Sequence, residues 1–415
     1  VGAINERVVI IGGGQAGIQL ADSLRAQGYQ GKISIVDDDR ALPYQRPPLS
    51  KDFLAQGPAP EPLPLRAASF FAEQNIELRS GLTVLSVDTV RRSVALSDGS
   101  TLGYAHLVFA TGARNRQLAC PGAELPGVLG LRTLADAQQL QQALGRARQV
   151  VVIGAGFIGL EFAAAARARG LAVTVLEFAQ RPMGRAVSTC LSDWFAQAHR
   201  DNGIDLRLGE GVREIRATGN SLVVGSSTGD EYDADLVVYG IGVLPNIELA
   251  QASGIHTENG ITVDAALRTS TAGVYAIGDC AWFPNAFSGS RTRLESVQNA
   301  TDQAKALAEV IATGSGEYAA LPWFWSTQGA LRLQIAGLAH PEDTPLVLGE
   351  MRAGKYSVAL FRQGVLTAVE SVNSPADHIA ARKLLASRTE ITPAMLREPG
   401  STLKELAKRA VLIGA

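Results

Sequence analysis

The hydrophobic pattern of the chain repeats itself. VVII (Val8–Ile11) and VVVI (Val150–Ile153) are unbroken β-branched apolar runs, the pattern of strands buried on both faces of a parallel sheet. Each run gives way to glycines and then to a helical pattern, AGIQLADSLRAQG in the first copy and IGLEFAAAARARG in the second. Both helices close on a glycine, Gly28 and Gly170, suited to a left-handed cap. Second strands follow, KISIVDD and AVTVLE, and both end in carboxylates. LVFATGAR (Leu107–Arg114) and VYAIGDCA (Val274–Ala281) read as further buried strands running into glycine turns. Near the C-terminus KYSVALF predicts a strand and TLKELAKRAV a helix. Strands alternating with helices predict an α/β architecture.

The glycines fall in two G-x-G-x-x-G sets, Gly12, Gly14 and Gly17, then Gly154, Gly156 and Gly159. The first glycine of such a set makes the tight turn, the second lets a pyrophosphate approach the backbone, and the third lets helix pack closely on strand. The helix N-terminus aims free N–H groups at the phosphates. An acid about twenty residues on accepts from the adenosine ribose. Asp37, 20 residues past Gly17, and Asp38, 21 past it, stand at that distance in the first copy and Glu177 in the second, and the bare count prefers Asp37. A lone glycine set is weak evidence, but strand, glycines, helix, strand and acid together are specific. Two complete copies predict two dinucleotides, naturally FAD and a nicotinamide cofactor. Glu177 favours a ribose 2′-hydroxyl over a 2′-phosphate and so NADH over NADPH, with Arg181 nearby as a counter-indication.

Composition narrows the field. The chain has 415 residues, 46% hydrophobic and 19% charged, and 38 basic against 40 acidic residues leave a formal net charge of −2. That balance argues against nucleic acid as a bulk electrostatic partner. Cys120, Cys190 and Cys280 are widely spaced, with no CxxC pair, and five scattered histidines form no ligand cluster, so no metal site is expected. No apolar run reaches the roughly 18 residues of a membrane span. VGAINER leads into a strand without a signal-peptide pattern, and the expectation is a cytoplasmic protein. QGPAPEPLPLR reads as a surface loop.

In order, the motifs are G-x-G-x-x-G, A-T-G (Ala110, Thr111, Gly112), a second G-x-G-x-x-G, GIGVLPN (Gly240–Asn246) and A-x-G-D ending at Asp279. This order resembles that of the two-dinucleotide-domain flavoprotein reductases. PYQRPPLSKDFL (Pro43–Leu54), RTLADA (Arg132–Ala137), ESVQNA (Glu295–Ala300) and LPWFWSTQ (Leu321–Gln328) narrow the resemblance. Together they look like the FAD-dependent NADH:redoxin (ferredoxin) reductases of bacterial cytochrome P450 and Rieske dioxygenase systems, from about Val8 to near Ala410. Apoptosis-inducing factor shares PPLSK and is a relative.

The resemblance implies two Rossmann-like dinucleotide-binding domains of the glutathione-reductase type plus a C-terminal α+β domain. Residues 1–115 and 244–318 would form the FAD domain, 116–243 the NADH domain and 319–415 the third. The flavin site would comprise Gly12, Gly14, Ala16 and Gly17 in the turn, with Asp38 matching the family's ribose acid better than Asp37. Arg46, Pro48 and Lys51, Val84 by the adenine, Ala110, Thr111 and Gly112, Arg132, Asp279 on the ribityl chain, Glu295 and Val297 would complete it. The NADH site would comprise Gly154, Gly156, Phe157, Ile158, Gly159, Glu177 and Gly242, with Glu161 on the nicotinamide amide.

Electron flow then follows. A flavin converts a two-electron hydride donor into a one-electron source, so nicotinamide C4 should face flavin N5 and the acceptor should be a [2Fe–2S] redoxin. Glu161, placed in the first helical turn, has two readings, a favourable charge–dipole placement or a partner of Lys51 that releases it as NADH enters, Lys51 then stabilising reduced flavin. Trp323 and Trp325 share one strand face, and Trp325 would shield the flavin toward the redoxin. Lys305 and Lys404 are candidates for steering an acidic redoxin. Rival readings are a non-catalytic NADH sensor of the apoptosis-inducing-factor type and a monodehydroascorbate-type reductase. No cysteine pair supports disulfide chemistry.

Overall fold

The computed structural model describes residues 6–55, 61–219 and 221–413, so Val1–Asn5 of VGAINER and Gln56–Pro60 of the loop QGPAPEPLPLR lie outside the described residues. The chain forms two compact units. The first comprises Val1–Gln45, Pro62–Arg114 and Leu244–Pro322. The second comprises Arg46–Glu61, Asn115–Val243 and Trp323–Ala415.

In the first unit the apolar runs build a five-stranded parallel sheet in the order Val274–Ala276, His106–Phe109, Val8–Ile11, Ile33–Asp37 and Ile76–Ser80. Val8–Ile11 is central, and Ile10 pairs with Ile35 on one side and Val108 on the other. Its four residues are buried, as expected of a strand covered on both faces. Helix Gln15–Ala26 returns the chain to Ile33–Asp37, and Gly28 beyond it is left-handed. The sheet reverses direction of winding beside Val8–Ile11, which puts the glycine turn at the switch point where such sheets bind ligands.

The second unit repeats the plan. Its parallel sheet runs Asp205–Leu208, Ala172–Glu177, Gln149–Ile153, Leu236–Tyr239, Val128–Gly130. Ile153 pairs with Leu176 as Ile11 pairs with Val36, so Glu177 and Asp37 occupy equivalent positions. In both units a three-stranded antiparallel ribbon precedes the returning strand, Val84–Gly103 in one and Val212–Ala234 in the other.

The C-terminal part of the second unit is an antiparallel sheet ordered Trp323–Gln328, Leu331–Gly337, Val365–Val372, Lys355–Arg362, Thr344–Glu350, followed by helices Pro375–Ala386, Pro393–Arg397 and Leu403–Ile413. KYSVALF is a strand and TLKELAKRAV lies in a helix, giving the expected α+β character.

Candidate cofactor and redox site

The two glycine turns are built alike. Gly12 (φ +111°) and Gly154 (φ +101°) adopt backbone conformations that favour glycine. A Cβ on Gly12 would meet the Ala110 carbonyl oxygen at 2.3 Å, and one on Gly154 the Gly240 oxygen at 2.6 Å. Cβ atoms on Gly17 and Gly159 would lie 2.1 Å from the Gly12 and Gly154 oxygens respectively, the close approach of helix to strand. The middle glycines differ. A Cβ on Gly14 would meet nothing within 4 Å, and one on Gly156 only the Gly240 oxygen at 3.8 Å. The space above each helix N-terminus is thus clear, bordered by Ala16 in one unit and by Phe157 and exposed Ile158 in the other. Both cradles fit a pyrophosphate.

The acids flank these cradles. Glu177 accepts from the Ala155 amide at 2.7 Å and the Ala179 amide at 2.8 Å, which fixes its carboxylate against the turn. Asp37 lies against the first turn, where a Cβ on Gly13 would be 2.5 Å from its carboxylate, while Asp38 is exposed. Phe178, next to Glu177, is 80% exposed with its ring edge beside Gly211. Arg181 donates to the Val187 and Gly184 carbonyls at 2.9 and 2.6 Å, so its guanidinium is engaged by backbone.

Other expected flavin residues of the first unit gather around its sheet. Asn246 of GIGVLPN stitches the A-T-G turn: its carbonyl accepts from the Thr111 hydroxyl at 2.7 Å, its Nδ2 donates to the Thr111 carbonyl at 2.8 Å, and its amide donates to the Gly112 carbonyl at 3.0 Å. Asp279 is half-buried in the turn Gly278–Cys280, whose Gly278 amide donates to Gln303 Oε1 at 2.7 Å. Gln303 is fully buried, yet its Nε2 has no partner among the described residues. An orphaned buried donor is costly, and beside this turn it suits a ligand oxygen or an ordered water. Glu295 pairs with Arg293 at 2.6 Å, Val297 opens helix Val297–Thr313, and Val84 is buried at the start of Val84–Asp88. Arg46, Pro48, Lys51 and Arg132 belong to the second unit, Arg46 exposed and Arg132 just before the capping box of helix Leu134–Leu144. Gly242, left-handed, accepts from the Arg116 amide.

Within the second unit Glu161 gathers a polar cluster. Helix Phe157–Ala168 begins at Phe157, so Glu161 opens its second turn, and no acid lies in the first. This corrects the expected first-turn placement and removes the charge–dipole reading, because the field of the helix end fades within a turn. Glu161 is only 4% exposed. Its Oε2 accepts from Lys51 Nζ at 2.6 Å and Ser50 Oγ at 2.5 Å. Its Oε1 accepts from Ser326 Oγ at 2.7 Å and the Thr327 amide at 3.3 Å. A carboxylate so buried requires such partners.

Strand Trp323–Gln328 explains the cluster. Trp323 and Trp325 share one face, with ring centroids 5.5 Å apart. The alternate face meets the helix: Phe324 packs on Phe157 at 4.6 Å and Ser326 reaches Glu161, one turn further on. Trp325 is half-buried, and Arg382 lies over the Trp323 ring at 4.2 Å. Lys305 and Lys404 are exposed, on helices of different units.

The sequence reading missed Ser50, Asn246, Gln303, Ser326 and Gln328. The signal for two of them lay in WFWSTQ, where polar Ser326 and Gln328 follow Phe324 on the strand face opposite the two tryptophans. The three cysteines are free, and Cys280 is buried, which pushes its thiol upward. Among the described residues no group of three or more His, Cys, Asp or Glu could hold a metal, and no helix is long and apolar enough to cross a membrane.

Comparison with known proteins agrees with this geometry. Residues 6–304 match the pyridine nucleotide-disulphide oxidoreductase family and residues 323–407 the reductase C-terminal family. The chain is 48% identical over 398 residues to rhodocoxin reductase of Rhodococcus erythropolis, covering 96% of this chain and 93% of that protein. The crystal structure of the ferredoxin reductase for the CYP199A2 system from Rhodopseudomonas palustris superimposes with a TM-score of 0.94 at 45% identity, over 97% of this chain and 100% of that one. The reductase of the covalent putidaredoxin reductase–putidaredoxin complex gives a TM-score of 0.93 at 36% identity, over 99% of this chain and 100% of that one.

Proposed function

This chain belongs to the pyridine nucleotide-disulphide oxidoreductase family, in its FAD-dependent ferredoxin (redoxin) reductase branch, and from that membership we propose a role for each part of its site. The protein is an NADH-dependent flavoprotein oxidoreductase that passes electrons to a redoxin. The bound flavin supplies the conversion of a hydride's electron pair into single electrons. The observation that carries the reading is the pair of matching glycine cradles in one chain.

The first cradle, Gly12 to Gly17, holds the FAD pyrophosphate. Asp38, exposed at the end of its strand, takes the adenosine ribose, while Asp37 braces the turn. Val84, Ala110, Thr111, Gly112, Asp279, Glu295 and Val297 line the remaining flavin site of the first unit, and Arg46, Pro48, Lys51 and Arg132 are assigned to the flavin by the family resemblance alone. The second cradle, Gly154 to Gly159 with Phe157, Ile158 and Gly242, holds NADH. Glu177 selects the ribose 2′-hydroxyl, and the engagement of Arg181 by backbone carbonyls supports that preference.

Glu161 orients the nicotinamide amide. All its acceptor positions are filled, so it must release a donor to do so. Ser50 and Ser326 are buried, whereas the Lys51 side chain keeps 20% exposure, which makes Lys51 the partner that leaves and then balances negative charge on reduced flavin. Trp325 shields the flavin on the redoxin side. The acceptor is a [2Fe–2S] redoxin serving a cytochrome P450 or Rieske oxygenase, steered by basic residues including Lys305 and Lys404. The domain division at 115, 243 and 318, and action in the cytoplasm, belong to the same reading.

The test is spectroscopic. Purified protein should be yellow, NADH should bleach the flavin band, and an added [2Fe–2S] protein should be reduced rapidly and catalytically. Colourless protein that takes up no flavin would overturn the reading. A persistent NAD–flavin charge-transfer complex with slow turnover would replace it with a sensor.

A further inference from the structure

Glu161 is the end of a longer buried chain. Beyond Ser326, Gln328 Nε2 donates to Ser326 Oγ at 3.2 Å and to the Met183 sulfur at 3.4 Å. Gln328 Oε1 lies 2.7 Å from His199 Nε2. Ser326, Gln328 and His199 are all fully buried. His199 sits on helix Thr189–Asp201, Gln328 and Ser326 on the strand Trp323–Gln328, and Glu161 on the helix Phe157–Ala168.

The chemistry of the groups fixes the direction of each bond. An ionised carboxylate only accepts, so the single Ser326 hydroxyl hydrogen must point to Glu161. Ser326 Oγ must then accept from Gln328, which sets the amide with its nitrogen toward Ser326 and the sulfur and its oxygen toward His199. The opposite amide orientation would present an oxygen to Ser326, compete for that one hydrogen and place oxygen against sulfur. Gln328 Oε1 in turn requires the proton on His199 Nε2, leaving Nδ1 as a bare acceptor, and Nδ1 has no partner among the described residues. Every hydrogen in the chain therefore points toward Glu161.

Resting on the role of Glu161 given above, we propose that His199 and Gln328 are positioning residues for hydride transfer: by orienting the Ser326 hydroxyl they pin Oε1 of Glu161 and leave Oε2 as the oxygen that exchanges Lys51 for substrate. Oε1 is held by the hydroxyl of fully buried Ser326 and by the Thr327 amide, whereas Lys51, on Oε2, keeps 20% side-chain exposure. Without the orienting amide the Ser326 hydrogen is free to turn elsewhere, and Glu161 loses its fixed side. A charge-assisted hydrogen bond of this kind is worth about tenfold to a hundredfold in an equilibrium or rate.

The experiment uses holoenzyme variants mixed rapidly with NADH, with flavin bleaching as the rate and calorimetric NAD+ titration as a second readout. Gln328→Leu and His199→Phe should each slow bleaching about tenfold or more while NAD+ still binds through its phosphates and adenosine. His199→Gln, which again presents an N–H near the Nε2 position, should restore most of the rate. Added to Glu161→Ala, Gln328→Leu should cause no further slowing, because its effect passes through Glu161. Full additivity in that double variant, failure of His199→Gln to rescue, or loss of NAD+ binding in step with the rate would overturn the proposal and assign these residues a packing role. Should Glu161→Ala alone leave bleaching unchanged, the function given to Glu161 falls first and this inference with it. If His199→Phe does not fold, Gln328→Leu and the double variant decide the matter.

Discussion

Alanine placed at the middle glycine of each turn should separate folding from cofactor binding. Gly14 and Gly156 have φ of −75° and −77°, conformations open to any residue. A Cβ there would meet nothing within 4 Å in one case and a single oxygen at 3.8 Å in the other. Both are helix N-caps, where exchanging glycine for alanine costs at most about 1 kcal/mol. The new methyl does, however, enter the space through which a pyrophosphate reaches the helix amides. Losing one amide contact to a charged oxygen costs about 1.5–3 kcal/mol, or roughly tenfold to a hundredfold in affinity. Gly14→Ala should therefore lose flavin on gel filtration with little change in melting temperature. Gly156→Ala should keep its yellow colour and lose NAD+ affinity by calorimetry. Gly17→Ala and Gly159→Ala provide the contrast: their Cβ atoms would stand 2.1 Å from a carbonyl oxygen, and they should destabilise the fold itself by about 1–3 kcal/mol or more. If Gly156→Ala binds NAD+ as the parent does, or if Gly14→Ala retains flavin and loses NAD+ instead, the assignment of the two cradles is wrong.

Phe178→Ala should weaken NAD+ binding measured by calorimetry, because this exposed ring beside Glu177 is placed to cover the adenosine end of the dinucleotide; an unchanged dissociation constant would show that the ring takes no part. Glu370→Gln should flatten the pH dependence of stability. Burial raises the Glu370 carboxyl from 4.5 to about 7, with the Ser188 hydroxyl and amide and the Arg181 charge acting against it and the Asp343 charge adding to it. The folded state thus holds that proton more tightly than the unfolded chain, and stability present at low pH is lost as pH rises through about 7, by about 3 kcal/mol at 1.36 kcal/mol per tenfold change in proton affinity. Melting curves from mildly acidic to mildly alkaline pH check this, and equal slopes in parent and variant would refute it. Charge reversal at Lys305 and Lys404 should slow redoxin reduction most at low ionic strength and flatten its salt dependence, whereas unchanged salt profiles would remove both residues from the docking surface.

Much of the fold was legible because its signals are local. VVII and VVVI are too apolar for anything but a covered strand, and each glycine set stands directly between its strand and its helix. The repeat was visible for the same reason, since both copies carry turn, helix and acid within some thirty residues. What stayed hidden depends on tertiary contact. That Asn246 closes the Thr111 turn and that Gln303 holds the Gly278 amide follows from strands and helices meeting across long stretches of chain. The first-turn placement of Glu161 failed because the helix starts at Phe157, a boundary that spacing from Gly159 does not reveal. Ser326 and Gln328 were overshadowed by the tryptophans just before them, yet on the face opposite the tryptophans Ser326 bonds Glu161 and Gln328 bonds Ser326.

The segment Arg46–Glu61 belongs to the second unit although the residues on both sides of it belong to the first. Each unit is assembled from three pieces that alternate along the chain, so the backbone passes between them five times. No single cut, by a protease or in a cloning design, releases either unit whole. Shuffling a foreign nicotinamide module into this scaffold would require several splices at once, one of which would have to carry Lys51 along with Glu161.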